Sequence, residues 1–98
     1  MAAYYVGTIR VTDARAWESY VSQVGATISQ YGGSVIFRGS GAGGEQTFKQ
    51  GGDRRIVALQ FDSLEAANRW HGSPEYQRLV PLRDAGAEVE LLLYQGKV

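Results

Sequence analysis

The stretch Phe61–Leu82, F-D-S-L-E-A-A-N-R-W-H-G-S-P-E-Y-Q-R-L-V-P-L, constrains the fold most, because it changes local structure three times in one short span. An extended apolar run ends at Phe61, and Asp62 stands three residues before Glu65, the spacing of a reciprocal capping box. Leu64, Ala67 and Trp70 or His71 then recur at helical spacing over about three turns. Gly72 can take the left-handed conformation that closes a helix. Ser73 has the residue type of a new N-cap, Pro74 suits a first helical position, and Glu75 in the first turn complements the helix dipole. The expected result is a helix, a sharp break at Gly72, and a second short helix from Pro74 that is interrupted near Pro81.

Around this stretch the remaining elements fall into a definite order. Ala3–Val11 alternates Tyr5, Ile9 and Val11 on one side with Tyr4, Val6, Thr8 and Arg10 on the other, and reads as strand one. Thr12 or Asp13 caps a helix whose apolar positions Trp17, Tyr20, Val21, Val24, Ile28 and Tyr31 keep the 3.6-residue period until Gly32 and Gly33. Ser34–Arg38 is a short β-branched and aromatic strand two. Arg55–Phe61 is strand three and Glu88–Gln95 strand four. Between strands two and three, Gly39–Gly52 is glycine-rich, with Glu45–Gln50 as an irregular edge strand or hairpin. The order β-α-β-β-α-β specifies one ferredoxin-like α+β domain over residues 1–98: an antiparallel four-stranded sheet with its helices on one face.

Composition narrows function by exclusion. Ten Lys+Arg balance ten Asp+Glu, so the chain lacks the basic excess that binding nucleic acid or an anionic membrane requires. No apolar run reaches the length of a membrane span, and the N-terminus M-A-A-Y-Y-V-G-T has no basic start or apolar core of a signal peptide, so a cytoplasmic protein is expected. With no cysteine there is no disulfide, thiolate metal site or cysteine nucleophile, and a single histidine leaves no multi-histidine site within one chain. No metal and no cofactor is expected.

One pattern runs against a lone two-layer domain. Helices on one face leave the other face wet, which should make the strands alternate, yet Tyr4-Tyr5-Val6, Ile56-Val57-Ala58-Leu59 and Leu91-Leu92-Leu93 are apolar on both sides. Something else must cover the second face, and a chain of 98 residues buries only about two thirds of its unfolded surface alone. A homodimer is expected.

The motifs Q-Y-G-G-S-V-I-F-R-G at Gln30–Gly39, F-D-S-L-E-A-A-N-R-W at Phe61–Trp70 and S-P-E-Y-Q-R-L-V-P-L-R at Ser73–Arg83 resemble the domain of unknown function 1330 family. The resemblance covers nearly the whole chain. It implies membership of the dimeric α/β-barrel superfamily, in which two ferredoxin-like sheets pack face to face. Two features depart from the family pattern: His71, where another aromatic is usual, and the paired glycines of the 39–52 loop.

Candidate site residues are few. His71 is the one side chain whose ordinary pKa lies near neutrality, which makes it the candidate catalytic base; the plain alternative is a ring that closes a helix end or lines a pocket edge. Arg38, ending strand two among glycines, can clamp a carboxylate with two parallel bonds or pair with a neighbouring strand's Asp or Glu, and Arg83 follows the same logic. Tyr31, Trp70 and Tyr76 can line an aromatic ligand pocket, or simply be core. Gly39–Gly44 formally fits the dinucleotide pattern G-x-G-x-x-G, but no helix pattern follows it, so a flexible loop is the expected reading. Glu88 and Glu90 share one strand face as an acid pair would, and also as a solvated strand edge does.

Three functions fit. The first is a binding dimer that holds a small, partly apolar, possibly acidic molecule between helices and sheet near Arg38, Tyr31 and His71. The second is a cofactor-free isomerase, lyase or oxygenase in the same pocket with His71 as base, as some members of the resembled superfamily are. The third is a structural or interaction dimer without a ligand.

Overall fold

The computed structural model describes residues 1–45 and 52–97. Its elements are β1 (Ala2–Val11), α1 (Ala14–Gln30), β2 (Ser34–Ser40), β3 (Asp53–Phe61), α2 (Leu64–His71), α3 (Pro74–Gln77), α4 (Val80–Gly86) and β4 (Ala87–Gly96). All strand pairs are antiparallel, in the order β2-β3-β1-β4, and the fold is the expected ferredoxin-like α+β arrangement with the second helical region broken into three. The expected piece Glu45–Gln50 lies, apart from Glu45, outside the described residues. Among the described residues no helix is long and apolar enough to cross a membrane, and no three acidic or histidine side chains gather as a metal site.

Helix α1 begins and ends on local signals. The Asp13 carboxylate accepts from the Arg15 and Ala16 N–H groups at 3.1 and 3.2 Å, satisfying donors that lack intrahelical partners. At the other end Gly32 has φ +79°; its N–H reaches the Ser29 carbonyl at 3.1 Å and the Gly33 N–H reaches Ile28 at 2.9 Å, the paired closure that needs a left-handed residue.

The Phe61–Leu82 stretch differs from its expected caps in two places. Ser63, not Asp62, is the N-cap of α2: its backbone is extended and its hydroxyl accepts from the Ala66 N–H at 3.1 Å, so Leu64 starts the helix and Asp62 lies one residue too early, exposed. Gly72 is not left-handed, at φ −83°. The termination falls to Ser73 instead. Its buried hydroxyl donates to the Trp70 carbonyl at 2.6 Å and accepts from the Tyr76 N–H at 3.1 Å, closing α2 and opening α3 with one atom. Pro81 sits in the first turn of α4, where a missing N–H costs nothing.

The core lies between the helices and one sheet face. Ala3, Tyr5 and Ile9 of β1 and Leu59 and Phe61 of β3 meet Trp17, Tyr20, Val24 and Ile28 of α1 and Ala67, Trp70 and Tyr76 of the broken region. Gly86, at the end of α4, accepts from the N–H groups of Thr12 and Asp13 at 2.9 and 3.0 Å, and a Cβ there would stand 2.5 Å from the Trp17 nitrogen. Only glycine allows α4 to seat so close to the start of α1.

Among the described residues no helix lies on the opposite sheet face. Its residues form cross-strand rows: Phe37–Ala58–Val6–Leu92 runs across all four strands, flanked by Gln60–Tyr4–Tyr94 on one side and Ile56–Thr8–Glu90 on the other. Phe37, Ile56, Leu92 and Tyr94 are 56, 41, 45 and 54% exposed. The two-sided apolar strands read from the sequence therefore stand as an uncovered apolar face.

Candidate functional site

A cavity of about 500 Å³ opens between α1 and the sheet. Its roof is the inner face of α1, with Trp17, Tyr20, Val21, Val24 and Ile28, the residues the helical period puts on one side. Its floor includes the row Arg38–Val57–Gly7–Leu91, one residue from each strand. Gly7 keeps that floor low, since a Cβ there would meet Val57 Cγ1 at 2.8 Å and Leu91 Cδ1 at 3.4 Å. Trp70 and Tyr76 complete the wall from the broken helical region.

Arg38 reaches this floor because of a β-bulge. Val35 pairs with Leu59 but Phe37 pairs with Ala58, so Ile36 is an extra residue with no counterpart on β3. Strict alternation from the inward Val35 would send Phe37 inward and Arg38 outward. The bulge reverses both: Phe37 joins the outer apolar row and Arg38, itself exposed, joins the cavity lining. Arg38 has no ion-pair partner among the described residues, whereas Arg55, further along the lining, is held by Asp53 through bonds of 3.1 and 2.9 Å. That guanidinium holds the Asp53 carboxyl below its ordinary value.

The inner wall carries a polar group inside apolar surroundings. Tyr76 is fully buried and Tyr20 nearly so, their hydroxyl oxygens are 3.4 Å apart, and Arg83 Nη1 donates to the Tyr76 oxygen at 3.0 Å. Arg83 also holds Asp84 through Nε at 3.0 Å. Burial, then the neighbouring Tyr76, pushes the Tyr20 phenol well above its usual pKa, so it is a neutral hydroxyl at any working pH. The Trp70 indole N–H donates to Thr27 Oγ1 at 3.0 Å, and that hydroxyl donates to the Val24 carbonyl at 2.7 Å, which fixes the indole plane against the cavity.

The structure brings Arg38, Trp70 and Tyr76 to the cavity and places the other sequence candidates elsewhere. Tyr31 does not line it; its hydroxyl donates to Glu75 at 2.9 Å across the gap between α1 and α3. Arg83 stands behind Tyr76 and meets the cavity only through that phenol. His71 does not line the cavity either. Its ring stacks on Tyr5 at 5.6 Å and packs beside Trp70 and Tyr76, and burial followed by the Arg83 charge lowers its pKa. Gly39 and Ser40 finish β2, residues 41–45 have no regular structure, and the next described element is β3, so the glycine pattern opens no described helix. Glu88 is paired with Arg10 and lies with Glu90 on the outer face, as a solvated edge. Sequence reasoning missed Tyr20 as a site residue because its spacing is that of a core position, and it missed Gly7, which sits unmarked inside strand one.

Comparison with known proteins decides the family: residues 2–97 match the family described as Domain of unknown function (DUF1330). The chain belongs to the DUF1330 family. No curated protein matches it. Among solved structures, the DUF1330 chain is similar to RPA0582, a protein of unknown function from Rhodopseudomonas palustris, with a TM-score of 0.81 at 17% identity over 99% of this chain and 83% of that one. It is also similar to SnoaB, a cofactor-independent oxygenase from Streptomyces nogalater, with a TM-score of 0.73 at 13% identity over 99% and 94% of the two chains. A dimeric protein of unknown function and ferredoxin-like fold from Bacteroides fragilis follows, with a TM-score of 0.55 at 10% identity over 97% and 96%. At such identities the likeness establishes the shared fold and carries no residue role across.

Proposed function

We propose that this DUF1330 chain is a homodimer that binds a small, partly apolar, acidic molecule in the cavity between α1 and the sheet. The observation that carries this reading is the bulge at Ile36, which delivers an arginine without an ion-pair partner among the described residues onto the floor of a cavity whose other lining is mostly apolar and aromatic, with the Arg55–Asp53 pair already satisfied. Such a site offers burial to a hydrocarbon body and two parallel charge-assisted bonds to a carboxylate. The dimer part is supported by the uncovered apolar row on the outer face and by the dimeric Bacteroides fragilis relative. A second copy of the same face is the occupant that would leave no edge of that patch unmatched.

A second reading, a cofactor-free isomerase, lyase or oxygenase in the same cavity, draws on the activity of SnoaB. It would use His71 as base, and His71 faces the cavity lining only through Tyr76 and Trp70, which is why binding is the preferred reading. Calorimetric titration of small aromatic and aliphatic carboxylates separates the two. Binding should weaken in Arg38→Ala by about 2 kcal/mol at both pH 5.5 and pH 8.0, because a guanidinium does not titrate there. If no carboxylate binds at either pH, the acid-binding reading is lost. Turnover that collapses in His71→Ala above the histidine pKa would install the enzyme reading instead.

A further inference from the structure

The Tyr20–Tyr76 pair in the cavity wall holds a hydroxyl hydrogen that no other described residue accepts. Tyr20 and Tyr76 own two hydroxyl hydrogens between them, and their mutual contact at 3.4 Å consumes one. Arg83 can only donate, and its Nη1 already occupies one lone pair of the Tyr76 oxygen at 3.0 Å. Arg83 therefore cannot accept the second hydrogen, and neither phenol has another acceptor among the described residues. The count does not depend on which tyrosine donates to the other. If Tyr20 donates, the hydrogen of Tyr76 is left over; if Tyr76 donates, that of Tyr20 is. Both residues line the cavity and both are at least nine-tenths buried, and the same lining carries Trp17, Trp70 and the aliphatic side chains of α1. A buried donor without an acceptor is costly, so the free hydrogen selects for a ligand that supplies one.

We propose that the Tyr20–Tyr76 pair, with Arg83 bound to the Tyr76 oxygen, is a second recognition point that takes a carbonyl oxygen of the ligand. The class of ligand is then an oxo-acid with an apolar body: a carboxylate for Arg38, a hydrocarbon or aromatic middle for the indoles and α1, and a ketone or similar acceptor for the phenol pair. The proposal rests on the acid-binding reading above and adds the second functional group. Arg83 acts here as a positioning residue, since it reaches the ligand only through the Tyr76 oxygen.

The test uses matched probes that differ only in the acceptor: 3- and 4-acetylbenzoate against 3- and 4-isopropylbenzoate, which have closely similar shapes. Wild type should bind at least one acetyl compound about tenfold more tightly than its isopropyl partner, the effect of one satisfied buried donor. Tyr20→Phe alone should keep that preference, because Tyr76 still carries a free hydrogen. The double variant Tyr20→Phe, Tyr76→Phe should bind both members of each pair equally. Equal binding of acetyl and isopropyl compounds by wild type overturns the proposal while leaving the acid site intact, and so does a preference that survives in the double variant. Binding of none of the four overturns the acid-binding reading and this proposal together. Should the double variant fail to fold, the infrared carbonyl stretch of the acetyl compound bound to wild type decides. A frequency lowered as in a hydrogen-bonded ketone supports the donor, and a frequency as in an aprotic solvent removes it.

Discussion

The two faces of the one sheet are built from the same residue types and end in opposite conditions. On the inner face, Tyr5, Leu59 and Phe61 are closed over by Trp17, Trp70 and Tyr76, every buried polar side-chain atom among the described residues has at least one partner although one hydroxyl hydrogen of the Tyr20–Tyr76 pair is left over, and the remaining space is an organised cavity. On the outer face, Phe37, Leu92 and Tyr94 are each about half exposed with no described element above them. Strand alternation produces both faces equally, and what separates them is the single layer of helices. The difference teaches that the chain closes its inner face with its own helices while the described residues leave the outer apolar face uncovered.

Substitutions of similar size on the two faces should therefore act in different currencies. The largest loss is expected for Trp70→Ala on the inner face, about 3–5 kcal/mol in denaturant unfolding, because it removes a fully buried indole and its bond to Thr27. A loss below about 1 kcal/mol would mean that the inner face is not the core. Leu92→Arg on the outer face should leave the fold in place but convert the proposed dimer to a species of 10.7 kDa by light scattering, since a charge would stand at the β4 end of the apolar row. Wild type that already runs at the single-chain mass at every concentration would break the contrast between the faces.

A smaller effect sharpens the inner face through pH. His71 has its pKa lowered in the folded protein by burial and by Arg83, while in the unfolded chain it keeps the ordinary value of 6.5. The unfolded state then binds the proton more readily, so stability is flat above pH 6.5 and is lost as pH falls from there through the lowered folded value. This window opens before the carboxyls of Glu75 and Asp53 contribute, because those are held below 4.5 and 3.8, by the Glu75 backbone N–H and the Tyr31 hydroxyl for the first and by Arg55 for the second. His71→Gln should flatten the upper part of the profile in melts taken between about pH 5 and 7. An unchanged slope would show that the ring is solvated in the folded state. The smallest effect is expected at Gly72, whose φ of −83° suits any residue and where a Cβ would meet only the Asn68 carbonyl, at 3.4 Å. Gly72→Ala should raise stability by about 0.5 kcal/mol through the unfolded chain, and a clear drop would mean that α2 needs glycine to end.

The order of elements was legible because it rests on periods of two and 3.6 residues, which survive in the sequence whatever the packing does. The uncovered face was legible for the same reason, as apolar residues at adjacent positions of Tyr4–Val6 and Leu91–Leu93. The caps at Asp62 and Gly72 misled because the residue types were right and the neighbours decided: Ser63 had an extended backbone in the right place, and the Ser73 hydroxyl did the work assigned to a left-handed glycine. The cavity was only half legible. Arg38 was marked by its charge at a strand end, but nothing in S-V-I-F-R announces that Ile36 is skipped in the pairing, and that skip decides which face the arginine joins. Tyr20 looked like any other core position of α1; its role depends on Tyr76 and Arg83, 56 and 63 residues away, which no local pattern links.

The cavity can be interrogated directly because both tryptophans of the chain, Trp17 and Trp70, line it. Titrating 4-isopropylbenzoate into wild type and Arg38→Ala while following tryptophan emission reports occupation of that space and nothing on the outer face. The account predicts a saturable change in wild type and a curve displaced roughly thirtyfold to higher concentration in Arg38→Ala. Emission that does not respond to millimolar ligand, or identical curves for the two proteins, would contradict it.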